Sequence, residues 1–433
     1  MSGIPLPLEG IRVVDFSRVL AGPHCAKALL DLGAEVIKLE PPGGDLSRKA
    51  FPCQGQVSGY YAQQNAGKRN VSIDLNVPGA REAALRLCDT ADVIVENFRP
   101  GALASFGLGY ESVSARNPGV VYASISGYGQ HGAWRSRMAY APTVQAETGI
   151  TANTADHFGR TGTLRSDSLS HADVYSGLHA AIAILACLTE RAHTGQGQYI
   201  DVAMAAVMLS INERVHVDLS DAELGAERPI LGATDGPFFT GPHGERFASP
   251  MSLVGSMSFP FYLAAMRRPD LGRDPRFRTP ELRLRNLDAL HRIVQEWIWT
   301  FADMESLDAQ LDEAKIATGQ VRSVREFADS DWARQWNAVR TVSDRSGGEI
   351  KIPGRPWHFA DQVAADEGQL VARQGEHNAE VLSELGFSAA EIAALEASGA
   401  LVQPGQAPSL QNYRGTDTVT GGKIVAATIT QTS

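Results

Sequence analysis

Asp173 opens a helical pattern in Ser170-His-Ala-Asp-Val-Tyr-Ser-Gly177. An aspartate at such a place serves either as the helix N-cap or as a carboxylate nucleophile. The helix dipole and backbone N–H groups keep it ionised in both roles, so spacing alone does not choose. A second set of candidates is Lys68 and Arg69 before one strand, with Asn97, Phe98 and Arg99 after another. Donors of this kind hold phosphates, and an aromatic beside them stacks on a base. The alternative is a solvated surface of unrelated charges. Residues 127–132 match G-x-G-x-x-G behind a strand. A dinucleotide site needs that turn to open a helix, and no apolar helical period follows it. A loop at the carboxyl edge of a parallel sheet fits these residues better than nicotinamide binding. His171 and His179 lack metal-ligand spacing, so no metal site is expected. No G-x-S-x-G elbow is present. Cys25, Cys53, Cys88 and Cys187 have no CxxC spacing, and Cys187 reads as helix core.

Elements must position these residues. Strand signals fall at 11–16, 35–39, 72–75, 92–96, 120–125 and 199–202. Helical runs lie between them, one from Pro23 to Leu32 and one opening at Pro78. A long helix is predicted over 173–193, with Gly177, Ala180, Ala181, Ile184 and Leu188 on one face. That face is small near its start, which admits another backbone. The alternation predicts an α/β fold with a parallel sheet and right-handed crossovers. Composition changes near residue 220, where Gly232, Gly236, Pro237, Gly241 and Pro242 punctuate the chain. A large domain over 1–220 and a smaller one over 221–330 are expected, with 331–433 as a linker and C-terminal return to the large domain. Ser388 and Glu391 form a capping box before a helix, and the Thr-rich tail after Pro408 is expected to pack poorly.

The chain has 433 residues, 43% hydrophobic and 20% charged, with a net charge of −10. These are ordinary globular values, which exclude a fibrous or disordered class. The acidic balance speaks against nucleic-acid binding and against long-range steering of an anionic substrate. No basic-then-apolar leader opens the sequence, and the apolar run Leu178 to Leu188 is too short to span a bilayer. A cytoplasmic protein without membrane contact is expected.

Several ordered motifs resemble those of class III (CaiB/BaiF-type) coenzyme A transferases. They are Leu20-Ala-Gly-Pro23, Leu32 to Asp45, Gly67-Lys-Arg69, Val95 to Gly101, Ser126 to Gln130, Asp173 with Gly177, Thr194 to Gln198, and Gly375 to Gly386. Together they span about residues 8 to 396. The resemblance implies a Rossmann-like large domain built from both chain ends, a smaller central α+β domain and an interlocked homodimer. It makes Asp173 the nucleophile. Its carboxylate would form an acyl anhydride and then an aspartyl-CoA thioester while CoA passes from an acyl-CoA to a carboxylic acid. Coenzyme A would enter as substrate, with no tightly bound cofactor. Leu20 and Ala21 would lie near the acyl and pantetheine end. Leu75, Asn76, Asn97, Phe98 and Arg99 would frame the adenosine-diphosphate end, and Met138 and Tyr140 would sit beside the thioester.

Departures bear on substrate. Leu20 stands where the formyl-CoA/oxalate subgroup carries Gln, so oxalate is not expected. The glycine loop of that subgroup corresponds to Gly232-Ala-Thr-Asp-Gly236, which has fewer glycines. The 2-methylacyl-CoA racemases are similar in fold and use a His and an Asp as acid and base. Tyr140 replaces that His here, and Ser258 loosely replaces a further carboxylate. A CoA-binding subunit of a heteromeric transferase is a further alternative, and a nicotinamide dehydrogenase the outsider.

Overall fold

A computed structural model describes residues 5–157, 168–213, 215–220, 238–359 and 369–402. Gly232 to Gly236 and the tail after Pro408 lie outside the described residues. The chain divides into two compact units. One comprises Met1–Thr148, Asp167–Ile211 and Val339–Ser433, and the other Gly149–Ser166 and Asn212–Ala338.

Six parallel strands carry the first unit: β1 (Arg12–Asp15), β2 (Glu35–Glu40), β3 (Arg69–Ser72), β4 (Val93–Glu96), β5 (Val121–Ser126) and β6 (Tyr199–Ala203). Their order is β3-β2-β1-β4-β5-β6. In this doubly wound order the winding reverses between β1 and β4, which opens a crevice at their carboxyl ends. Val13, Val14, Ile37, Ile94 and Val95 are fully buried, as strands covered on both faces require. β3 begins three residues before the stretch whose apolar pattern marked it. Its free edge is held by side chains from the other end of the chain, which no local pattern reveals. His377 Nδ1 accepts the Asn70 N–H at 3.1 Å, and Asn378 Oδ1 accepts the Ser72 N–H at 2.8 Å.

The helices that matter for the crevice are α1 (Ala21–Asp31), α2 (Gly59–Asn65), α3 (Ala80–Asp89), α4 (Ala141–Glu147), α5 (His171–Thr194) and α6 (Met204–Ile211). The small-residue face of α5 meets α1. A Cβ at Gly177 would lie 2.5 Å from the Ala21 carbonyl oxygen and 3.1 Å from the Cys25 nitrogen. As a whole, α5 is long and apolar enough by length and composition to cross a membrane, contrary to the shorter run read from sequence. Its Ala180, Ala181 and Ile184 are nevertheless buried in the protein.

Under the loop between β1 and α1 lies a cluster of buried charges. The Lys38 ammonium is 3.1 Å from Asp45 and donates to the Ser17 carbonyl at 2.7 Å. Lys68 donates to Asp15 at 2.8 Å and to the Pro23 carbonyl at 2.9 Å. Asp45 accepts the Val19 N–H and the Ser47 N–H. Burial works to raise Asp45, but Lys38 and Ser47 outweigh it and hold the carboxyl at about 2. Next to it Glu40 gathers Arg48, the Tyr61 hydroxyl, Asn70 and the Asp45 N–H.

The C-terminal segment returns to this unit. It contributes Val381, Leu382, Ile392 and Leu395 to the core that holds Val14 and Ile37, and the Ser388–Glu391 capping box is formed. The second unit pairs an antiparallel sheet, β7 (Phe238–Thr240), β8 (Arg246–Ala248) and β9 (Gly319–Gln320), with helices that include α7 (Phe259–Met266), α8 (Leu287–Ile298) and α9 (Met304–Glu313). Its core holds Phe247, Tyr262, Leu290, Val294 and Leu307.

Gly177→Ala tests the α1–α5 crossing. Alanine gains about 1 kcal/mol of helix propensity. Its methyl group would press on backbone that has no rotamer to yield, at a cost of about 1–3 kcal/mol. A net loss of stability on urea unfolding is expected, and a more stable variant would show that the crossing is loose.

Candidate active site at the carboxyl edge of the sheet

Asp173 is the third residue of α5. Ser170 holds the cap position, without a side-chain cap bond, so the N-cap reading of Asp173 is set aside. Asp173 and Gly177 are one turn apart and share a face, which directs the carboxyl toward the start of α1. Burial pushes the carboxyl up to about 6, with no charge or hydrogen bond among the described residues to offset it. The helix dipole alone would have kept it low. Tyr60, on the first turn of α2, feels this carboxyl. Burial, then Asp173 and Asp45, push its phenol up to about 12, so it remains a hydrogen-bond donor at any working pH.

The start of α1 is clamped at the switch point. Asn97, just past β4, accepts the Arg18 N–H and donates to the Arg18 carbonyl, both at 2.8 Å. The Phe98 ring lies 4.7 Å from the Arg18 guanidinium carbon. Val19 takes a positive φ of 67°, uncommon for a β-branched residue, to turn the chain into α1. Leu20 and Ala21 are buried at the helix start, where first-turn N–H groups lack intrahelical partners. Leu20, Ala21, Asn97, Phe98 and Asp173 therefore cluster around one crevice. The side chain of Asn97 holds the Arg18 peptide through Oδ1 and one Nδ2–H, so it organises the loop. Arg99 is exposed on the same turn.

The other candidates lie further out. Leu75 and Asn76 follow β3 at the edge of the sheet. Leu75 packs against the core, and Asn76 bonds to Asp74. Met138 and Tyr140 are 62% and 66% exposed in the loop after β5. That loop leads into α4, whose Gln145 accepts the Ala172 N–H at 3.4 Å, next to Asp173. Lys68 and Arg69 do not form an anion site. Lys68 is buried on Asp15, and Arg69 is paired with Glu35, Glu380 and Glu384. Residues 127–132 form a loop that opens no helix. Cys187 is half-buried, not core. Among the described residues no group of three His, Cys, Asp or Glu side chains is placed to hold a metal ion.

Tyr60 escaped the sequence reading, and Asp45 and Glu96 stood there only inside motifs, with no role of their own. Only the Ser58 N-cap preceding Gly59 and Tyr60 was a readable sign that a helix start lies there. The links from Tyr60 to Asp173 and from Asp45 to Val19 cross long stretches of chain.

The family model for CoA-transferase family III matches residues 8–378. The formyl-CoA:oxalate CoA-transferase of Streptomyces coelicolor is 32% identical over 91% of this chain and 99% of its own. The succinyl-CoA:mesaconate CoA-transferase of Haloarcula hispanica is 30% identical over 88% of this chain and 96% of its own. Among solved structures, a CaiB/BaiF family protein from Brucella suis superposes with a TM-score of 0.72 at 28% identity, covering 88% of this chain and 100% of that one. Sequence, fold and the ordered motifs agree: the chain belongs to CoA-transferase family III and is a CoA-transferase enzyme.

Proposed function

We propose that this enzyme takes coenzyme A from an acyl-CoA, succinyl-CoA foremost, and passes it to a small dicarboxylic or branched acid through intermediates on Asp173. The observation that carries the proposal is the Asp173 carboxyl, desolvated and without a cation among the described residues, on the face of α5 that meets the start of α1. The carboxylate attacks the thioester carbonyl, and the C–S bond breaks to release CoA thiolate and leave an aspartyl-acyl anhydride. The thiolate then attacks the aspartyl carbonyl, expels the donor acid as carboxylate and leaves an aspartyl-CoA thioester. The acceptor carboxylate attacks that thioester and releases the thiolate again. The thiolate takes the acceptor's acyl carbon, and Asp173 leaves as carboxylate. One difficult exchange becomes four acyl transfers with no net proton change.

Each tetrahedral oxyanion needs donors. The Ala21 and Gly22 N–H groups at the start of α1 and the Tyr60 hydroxyl are the donors we assign to it. Succinyl-CoA is favoured because the relatives from Haloarcula hispanica and Chloroflexus aurantiacus are named for it. Buried, apolar Leu20 near the acyl end weighs against oxalate. Leu20, Ala21, Asn97, Phe98 and Arg99, with Leu75, Asn76, Met138 and Tyr140, remain the proposed coenzyme contacts. We also propose a cytoplasmic homodimer. Ile182 and Tyr175 of α5 and Leu209 of α6 are exposed apolar residues that a second subunit would cover.

Intact-mass analysis after incubation with a panel of acyl-CoAs, with hydroxylamine trapping, is expected to find a covalent adduct on Asp173. An active enzyme whose adducts never map to Asp173 would sink the mechanism. Asp173→Asn is expected to be inactive yet more stable. The folded carboxyl titrates near 6, above its ordinary 3.8, so ionisation opposes folding as pH rises between those values. Thermal melts should therefore show the variant ahead of wild type at high pH and level with it at low pH. Wild-type kcat/KM is expected to fall about tenfold per unit as pH drops below about 6. A flat acid limb would exclude Asp173 as the titrating nucleophile. Tyr60→Phe should lower kcat about a hundredfold with little change in KM. An unchanged kcat removes Tyr60 from the oxyanion site.

A further inference from the structure

Three positions in register on adjacent strands form a polar rung near the carboxyl end of the sheet. Glu96 of β4 pairs with Ser124 of β5, and Ser124 pairs with Asp201 of β6. Partners in register share a face of the sheet. Two residues earlier the same face carries Ile94, Tyr122 and Tyr199, so the rung closes an apolar row. Glu96 is only 6% exposed. Each end of the rung holds a loop. Glu96 Oε2 accepts the Phe98 N–H at 2.8 Å, and Asp201 Oδ2 accepts the Gln130 N–H at 2.9 Å. The turn that Glu96 holds is the one whose Asn97 and Phe98 clamp Arg18, just before Leu20 and Ala21.

We propose that Glu96 is a positioning residue for coenzyme A: its carboxyl fixes the 97–99 turn, and through it the loop into α1, in the arrangement that receives the coenzyme. This rests on reading that turn as part of the coenzyme site, and adds control from a buried residue behind it. A buried carboxylate with no cation beside it among the described residues is a costly way to build a strand end, and an apolar residue would serve packing alone.

Burial, and then the groups around it, set the charge of Glu96. Ser124 and the Phe98 N–H favour ionisation, and Asp201 opposes it. Tyr122 and Tyr199 face it as phenols pushed above their ordinary range, first by burial. The Arg18 guanidinium lies beyond the Phe98 ring. Burial dominates and pushes Glu96 up to about 7. The carboxyl thus changes charge in the working range, and its bond to the Phe98 N–H is stronger when ionised.

Calorimetric titration of coenzyme A into the full chain tests this with Glu96→Ala, Glu96→Gln and Phe98→Ala. Glu96→Ala is expected to weaken binding about tenfold, and Glu96→Gln, which keeps an acceptor, to stay within about threefold of wild type. In turnover, Glu96→Ala should raise KM for the acyl-CoA more than it lowers kcat. The ratio of wild-type to Glu96→Gln affinity should be larger at about pH 8 than at about pH 6, since titration of the ligand's own phosphates cancels in that ratio. Wild-type binding by Glu96→Ala while Phe98→Ala binds weakly overturns the role of Glu96 and leaves the coenzyme site standing. Wild-type binding by Phe98→Ala overturns the reading of the turn, and the proposal with it. Should Glu96→Ala fail to fold, a wild-type to Glu96→Gln ratio that does not move with pH overturns the proposal.

Discussion

The crevice depends on four charges that never see water. Lys38, Lys68, Asp15 and Asp45 are all buried under the loop that joins β1 to α1. Removing such ions from water costs several kcal/mol each, and good geometry only returns that cost. Apolar side chains could fill the same volume at least as stably. What they could not do is hold the loop by its peptide groups. Lys38 grips the Ser17 carbonyl, Lys68 the Pro23 carbonyl and Asp45 the Val19 N–H. Val19 is left-handed at a β-branched residue, a conformation that the chain would relax without such restraints. The cluster therefore secures one loop conformation rather than overall stability. Losing one member would leave its partner buried and unpaired, at a cost of about 3–5 kcal/mol.

Two aspartates near this loop show how environment divides roles. Asp45 is buried beside Lys38 and lies low, at about 2, so it is a permanent charge and a fixed acceptor. Asp173 has no cation beside it among the described residues, and burial leaves it at about 6. A carboxylate satisfied by cations and N–H donors is a poor nucleophile because attack must break those interactions. An unsatisfied one has little to lose. The folding energy that holds Asp173 in place comes from the α1–α5 crossing, where Gly177 lets the two backbones approach. Stability at the crossing supports a residue that is itself destabilising, as functional sites often require.

Much of this was legible in the chain. Local apolar runs located five of the six strands, because buried parallel strands read as continuous hydrophobic stretches. Gly177 and the alanines after it announced a close helix crossing, though not with which helix. Asp173 stood out by position, but its environment did not. A start-of-helix aspartate reads as a cap until Ser170 is seen to occupy that place. Lys68 and Arg69 looked like anion donors because their carboxylate partners, Asp15, Glu35, Glu380 and Glu384, are remote in sequence. β3 was misplaced for the same reason, since its edge is satisfied by His377 and Asn378. Periodicity reports which face is buried, and says little about which distant group completes a polar one.

The elevated Asp173 pKa also bears on why such a site would exchange rather than hydrolyse. In the proposed cycle the same carboxylate is nucleophile in one step and leaving group in the next. Raising its proton affinity helps attack and slows departure, so a very basic carboxylate would stall as the adduct. A value near 6 lies only modestly above the ordinary carboxylic range of the acids it exchanges. Forward and reverse acyl transfers then stay close in energy, and the anhydride and thioester can each turn over. In the proposed cycle the same desolvation that lifts the pKa would also keep water, the competing nucleophile, from the activated carbonyl. In that cycle one physical condition, the burial of a carboxylate that no described cation offsets, would serve both reactivity and selectivity.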